Sequence, residues 1–339
     1  MSTREYIGHE ISIKMCMMGP KGVGKTSILT SIFTNTQTDL VSTGLSIKAY
    51  GTTLQELEEK EDMLGGIFVK KDSVKDRPAT GLLSSSDVST YDFELGLKGK
   101  DTNINLHIKD FPGEYVKTSP DEVVSFIDES SAILIAIDTP HLMEEDGRYA
   151  ETKNQINTII EFFTRSFSQL NSDKLVMFVP LKCEKYFYEQ KMQSVMDRVE
   201  EEYADLISFL RKKPVACVIT PILTLGDVVF SEFSSNVNGD GVPAEVIYKF
   251  YGPSPSYRPM FCSQPLYYIL SFAVAQYQKN KNNLNVLQKI FSALYSIFES
   301  DKALYSEILK INKFRLVDKP ELGYKLICGE QLTRVDTRL

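Results

Sequence analysis

Residues 17–29, MMGPKGVGKTSIL, decide how the rest of the chain is read. Gly19, Gly24, Lys25 and Thr26 satisfy G-x-x-x-x-G-K-[ST], after the apolar run ISIKMCMM (11–18) and ahead of a segment of helical period that starts at Lys25. Strand, glycine turn and helix in that order make a phosphate cradle. Backbone N–H groups must close on phosphate oxygens where a side chain would collide, and the helix N-terminus adds the positive end of its dipole. The loop expected to hold phosphate comprises Gly19, Pro20, Lys21, Gly22, Val23, Gly24, Lys25, Thr26 and Ser27. Lys25 is expected to reach the β- and γ-phosphates and the Thr26 hydroxyl to ligate Mg²⁺.

Outward from this turn, apolar runs of strand length alternate with longer helical segments as far as about residue 220, the pattern of a three-layer α/β domain. The strand candidates after 11–18 are YDFELGL (91–97), NINLHIK (103–109), AILIAID (132–138), KLVMFVP (174–180) and VACVIT (215–220). Most are aliphatic, as strands buried on both faces must be. Only KGKDT separates 91–97 from 103–109, too short for a crossover helix, so these two are expected to be antiparallel in an otherwise parallel sheet. Helices are expected over Lys25–Phe33, Asp121–Glu129, Tyr149–Leu170 and Glu189–Lys212. An insertion at about 37–90 carries the acidic stretch TLQELEEKEDML, read as a solvated helix face. Beyond 220, turn-rich segments bracket a short strand, EVIYKF (245–250). SQPLYYILSFAVAQY is then expected to close the α/β domain, which would span 1–280, and 281–339 to form a helical C-terminal appendage.

The second motif follows the hairpin directly: DFPGE, with Asp110, Gly113 and Glu114. The third is PLKCE (180–184), at the end of the 174–180 run. GPKGVGKT, DFPGE and PLKCE in this order resemble the TRAFAC class of Ras-like P-loop GTPases. The long insertion, the D-x-P-G-E form and YRPMFCSQPLYYIL (257–270) are most similar to the bacterial double-GTPase families.

That resemblance implies a Ras-like mixed sheet and a GTP-hydrolysing molecular switch, acting in a bacterial defence or conflict system beside a second GTPase. By the same resemblance Asp110 holds Mg²⁺, the Gly113 N–H senses the γ-phosphate, and Glu114 stands where relatives carry the glutamine that orients the attacking water. Thr80 or Thr90 would be the switch threonine that completes the Mg²⁺ shell, with Thr80 preferred because a loop precedes it. Lys25, Glu114 and Thr80 thus form the expected catalytic set, and Thr26, Asp110 and Thr80 the metal set. Relatives read guanine with N-K-x-D, which is Leu181, Lys182, Cys183 and Glu184 here: the lysine is kept, the acid is one methylene longer and the Asn is missing. A carboxylate at 184 still matches the two N–H donors of guanine and repels the bare acceptor of adenine. The alternative for that residue is a surface Lys–Glu pair at a helix start. VITPI (218–222) occupies the place of the fifth loop, so Thr220 joins the expected nucleotide set. Two other functions stay open: a nucleotide-gated scaffold with negligible hydrolysis, and a P-loop ATPase.

Composition restricts the rest. The net charge of −7 argues against a nucleic-acid partner, and no run of about 18 apolar residues is present to span a membrane. The polar start MSTREYIGHE lacks a signal-peptide pattern, and five cysteines at 16, 183, 217, 262 and 328 are read as reduced, so a cytoplasmic protein is expected. His141 reads as a solitary loop residue. A protein partner is expected, either a second GTPase or an effector, with the insertion and the segment after 281 as its docking surfaces.

Overall fold

The computed structural model describes residues 12–69, 88–100, 103–112, 115–168, 170, 172–280, 298 and 301–336. Thr80, Gly113 and Glu114 lie outside the described residues, as do 281–297 of the expected appendage.

Eight strands form one sheet. They are β1 (Ser12–Met18), β2 (Leu45–Ala49), β3 (Ser89–Leu97), β4 (Asn103–Asp110), β5 (Ala132–Asp138), β6 (Lys174–Leu181), β7 (Val215–Ile219) and, numbered last, β10 (Lys325–Cys328). A separate two-stranded ribbon comprises β8 (Val228–Phe233) and β9 (Val246–Phe250). The sheet order is β10-β7-β6-β5-β1-β4-β3-β2. β4, β1, β5, β6 and β7 run parallel to their neighbours within that set, and the β3–β4 hairpin is antiparallel as expected. Two more antiparallel strands extend the edges: β2 on β3, and β10 on β7. The sequence pattern passed over both. Each is short and has a partner on one side only, so tertiary docking rather than an aliphatic run fixes it.

Alternation along β1 divides the core between the two faces of the sheet. Ile13, Met15 and Met17 enter one apolar cluster, Cys16 and Met18 the other. On the first face lie α1 (Lys25–Asp39), part of α2 (Gly51–Val69), the helix Gln264–Asn280 and the helix Lys302–Ile311. On the second lie the helices Pro120–Glu129, Ile156–Ser166, Met192–Glu202 and Ala204–Leu210. The three layers are as expected. The segment after 301 supplies both a helix and the edge strand β10.

Two expected helices are broken. The one over 149–170 divides at Gln155, whose φ of 54° stops Ala150–Asn154 before Ile156–Ser166 begins. The one over 189–212 divides at Tyr203, which is fully buried against Phe178. In the insertion, α2 buries Thr53, Leu57, Leu64 and Phe68 and leaves Glu56, Glu58, Glu59 and Asp62 exposed, the solvated face read from its charge run.

Candidate functional site

Gly19 leaves β1 with a φ of 149°, and Gly24 caps α1 in the left-handed region with a φ of 107°. Between them Gly19, Pro20 and Val23 are buried, while Lys21 and Gly22 face solvent. A Cβ on Gly19 would lie 2.6 Å from the carbonyl oxygen of Ala136 in β5, so the turn lies against the sheet as only glycine allows. Thr26, half-buried, and Ser27, buried, open α1.

Lys25 Nζ donates to Gly19 O at 3.0 Å and approaches Asp110 Oδ1 at 3.8 Å. The P-loop lysine and the last residue of β4 are therefore neighbours, since β1 pairs Met17 with Asp110 in parallel register. Both side chains are almost wholly buried. Burial pulls the Lys25 ammonium down from its usual range and pushes the Asp110 carboxyl up, and in each case the partner's charge opposes the shift only in part. Asp110 Oδ1 has no hydrogen-bond partner among the described residues. A buried, unpartnered carboxylate oxygen beside a hydroxyl-bearing helix start fits a hard cation: Asp110 and Thr26 are the residues that would hold Mg²⁺. Thr90 is not placed to join them. It pairs with Lys109 in β3, whereas Ser89 faces Asp110, so alternation turns Thr90 to the opposite face of the sheet.

The third motif meets the first. Lys182, in the left-handed region with a φ of 59°, donates to Gly22 O at 2.9 Å and to Asp138 Oδ2 at 2.7 Å. Asp138 ends β5 and is fully buried; its other oxygen meets His141 Nδ1 at 2.6 Å. Burial alone would push the Asp138 carboxyl up, but the Lys182 ammonium and the His141 ring outweigh it and hold it well below the carboxylate range. Asp138 keeps Lys182 charged in the same way, against the pull of burial. Lys153 adds a third ammonium, donating to Lys21 O at 3.2 Å. Lys153 and Lys182 thus hold the outer carbonyls of the P-loop.

Glu184 is buried rather than part of a surface pair. It opens a short helix, Glu184–Tyr188, and its Oε1 accepts from Leu225 N at 3.1 Å. Burial pushes its carboxyl up to about 7, against the backbone N–H groups of Leu225, Glu184, Gly226 and Thr224. The 224–226 turn continues from the loop of Thr220, which is itself fully buried beyond β7. Past that turn the β8–β9 ribbon covers this end of the site: the Phe233 ring lies 4.7 Å from His141, and Lys185 sits over Phe230 at 5.0 Å. Asp227 fastens the ribbon's base, accepting from Tyr188 OH at 2.6 Å, Ser256 N at 3.0 Å and Arg258 at 2.9 Å.

Several of these residues escaped the sequence. Asp138 and Lys153 carry no motif, and His141 is a buried helical residue rather than a loop one. Lys60 of α2 was read within a charge run, yet its Nζ donates to Tyr91 OH at 3.4 Å, two residues along β3 from the partner of Asp110. The usable signal was the acidic end of AILIAID: a strand that buries all seven residues and closes on Asp requires a cation beside it.

The crystal structure of the S. cerevisiae Ski7 GTPase-like domain bound to GDP and inorganic phosphate is similar at 15% identity with a TM-score of 0.39, and that of the same domain bound to GTP at 14% with a TM-score of 0.40. Each alignment covers 83% of this chain and 52% of the other, so the chain spans about half the length of those structures. No curated protein matches. No helix among the described residues is long and apolar enough to cross a membrane. The sequence profile of the Double-GTPase 2 family matches residues 15–221, a span that holds the P-loop, Asp110, Lys182, Glu184 and Thr220, and the chain belongs to that family.

Proposed function

We propose that the protein binds GTP and hydrolyses its β–γ phosphoanhydride as a molecular switch. The observation that carries this reading is the meeting of Lys25 with Asp110 at 3.8 Å, on a buried carboxylate oxygen that has no hydrogen bond among the described residues, beside a glycine-lined turn. In this reading Gly19 to Ser27 cradle the phosphates and Lys25 neutralises charge on the transferred group. Thr26, Asp110 and Thr80 would hold Mg²⁺, which would supply charge neutralisation along the phosphate chain. The Gly113 N–H senses the γ-phosphate and Glu114 orients water. Lys182, already docked on Gly22 O, joins the phosphate end to the base end. Glu184 reads guanine in its ionised form beside the Thr220 loop, once a base offers it donors in place of the 224–226 turn.

The partner is a protein, a second GTPase or an effector, met at the insertion and the segment after 281. A cytoplasmic setting is read from the five free thiols, and a role in bacterial defence from the resemblance of the motifs. The test is thermal stabilisation of the purified chain by GTP, GDP and ATP, with and without Mg²⁺, followed by phosphate release over hours. Stabilisation by guanine nucleotides with slow release is expected. Equal stabilisation by ATP would replace GTPase with ATPase, and binding without release, alone or with the partner, would leave a nucleotide-gated scaffold.

A further inference from the structure

All five cysteines are free thiols, and two of them face each other. Cys328 of β10 is the register partner of Cys217 in the antiparallel β7, just past a one-residue register shift between Leu326 and Cys328. Both side chains pack in the same apolar cluster, as does Ile327 at the register shift. Directly paired residues of antiparallel strands have Cα atoms about 4.5–5.5 Å apart, inside the range of about 4.4–6.8 Å that a disulfide spans. Cys328 Sγ lies 3.7 Å from Val215 O, two residues before Cys217 in β7.

Their environments differ in the manner of a reacting and a resolving thiol. Cys217 is fully buried, whereas Cys328 is half-buried on the edge strand. Burial pushes Cys16, Cys183, Cys217 and Cys262 up, and Cys328 alone is lowered, first by the neighbouring Cys217 thiol and further by the Arg211 guanidinium. A reachable thiol of lowered pKa beside a second thiol is the arrangement of a redox-sensing pair.

We propose that Cys217 and Cys328 form a reversible dithiol–disulfide pair that fastens β10 to β7, with Cys328 reacting first and Cys217 resolving. The oxidant is a low-molecular-weight disulfide. The Cys328 thiolate attacks one sulfur of it and expels the other as a thiolate, forming a mixed disulfide. Cys217 then loses its proton, attacks Cys328 Sγ and expels the second small thiolate. Two protein thiols are oxidised by two electrons, and one small disulfide is reduced to two thiols. The consequence reaches the candidate site, because Tyr324, immediately before β10, donates its hydroxyl to Pro221 O at 2.9 Å and so props the loop of Thr220.

The test equilibrates the full chain in glutathione buffers of rising oxidised fraction, then traps thiols with acid and an alkylating agent for peptide mass mapping. The expected result is joint loss of two of the five alkylatable cysteines and a 217–328 linked peptide lighter by two hydrogens, reversed by dithiothreitol. Cys328→Ser should take up no glutathione at Cys217, and Cys217→Ser, or Cys217→Ala where serine impairs folding, should stop at a glutathione adduct on Cys328. Hydrogen exchange on the wild type should show β10 more protected when oxidised. Wild-type protein that keeps Cys328 alkylatable throughout, or that stops at a Cys328 adduct with no linkage to Cys217, overturns the proposal.

Discussion

Replacing Gly19 by alanine tests the cradle at its tightest point. An alanine Cβ there would meet the Ala136 carbonyl oxygen at 2.6 Å and the Ala136 Cβ at 2.9 Å, and the backbone would have to hold a φ of 149°. Ala136 lies in β5, which is paired on one side with β1 and on the other with β6, so its carbonyl cannot retreat. The backbone contributes about 1–3 kcal/mol and the overlap with β5 about 1–3 kcal/mol more, so Gly19→Ala should cost about 2–6 kcal/mol. Gly22 is the internal control: its φ is 72°, but a Cβ there meets nothing within 4 Å. Gly22→Ala should therefore cost only about 1–2 kcal/mol, the strain of a left-handed alanine. Urea unfolding of the wild type and the two variants gives the ranking, provided the slope m is unchanged. Fluorescent nucleotide titration should show affinity lost in Gly19→Ala. If the two variants lie within about 0.5 kcal/mol of each other, β5 does not hold the turn and the geometric argument is wrong.

Three further outcomes are expected. Glu184, whose carboxyl burial pushes up to about 7 from the ordinary 4.5, binds its proton more tightly when folded, so its contribution to stability is fully present below about pH 4.5 and lost as pH rises through about 7; wild type should lose about 3 kcal/mol across that window relative to Glu184→Gln, and parallel pH curves would refute it. Asp138→Ala strips the buried counter-ion from Lys182 and should cost about 3 kcal/mol, while adding Lys182→Met should recover part of it; a coupling below about 0.5 kcal/mol in the double-mutant cycle would show that the pair is not the anchor. Glu114→Ala and Glu114→Gln, compared with wild type in single-turnover GTP hydrolysis with the partner present, should separate, alanine slowing the step by about 10²-fold; three equal rates would remove Glu114 from the chemistry.

Much of the fold was legible because its centre is built from few residue choices. β1, β5, β6 and β7 bury both faces and so read as aliphatic runs, and a backbone phosphate cradle needs glycines whose spacing survives in any context. The hairpin was legible from the shortness of its turn. β2 and β10 were not, because LSIKA and KLIC are too short to declare a period and become strands only where an edge receives them. The broken helices were missed for a related reason: helical period runs smoothly through Gln155 and Tyr203, and only the fit against β5 and β6 requires a turn there.

The site was legible where a motif names its own backbone and illegible where a side chain takes its role from a neighbouring strand. Relatives with N-K-x-D place a polar Asn at the position of Leu181, and its loss reads in sequence as a weakened base site. In the folded chain Leu181 is 1% exposed and packs in the apolar core, and its register partner across the sheet is Asp138. The polar group has in effect moved one strand over. From the end of β5, Asp138 holds Lys182 at 2.7 Å, and Lys182 holds Gly22 O at 2.9 Å, so the base loop and the phosphate loop stay joined without the Asn. No one-dimensional pattern could report this, because residues 138 and 182 become neighbours only through the parallel β5–β6 register. The same register explains why the pair is affordable in a buried setting: Asp138 is also bonded to His141 and to the Asn154 side chain through its backbone N–H, so its charge enters the interior already partnered. The carbonyl of Gly22 is thus held from the end of β6 through a pair that only the strand register creates.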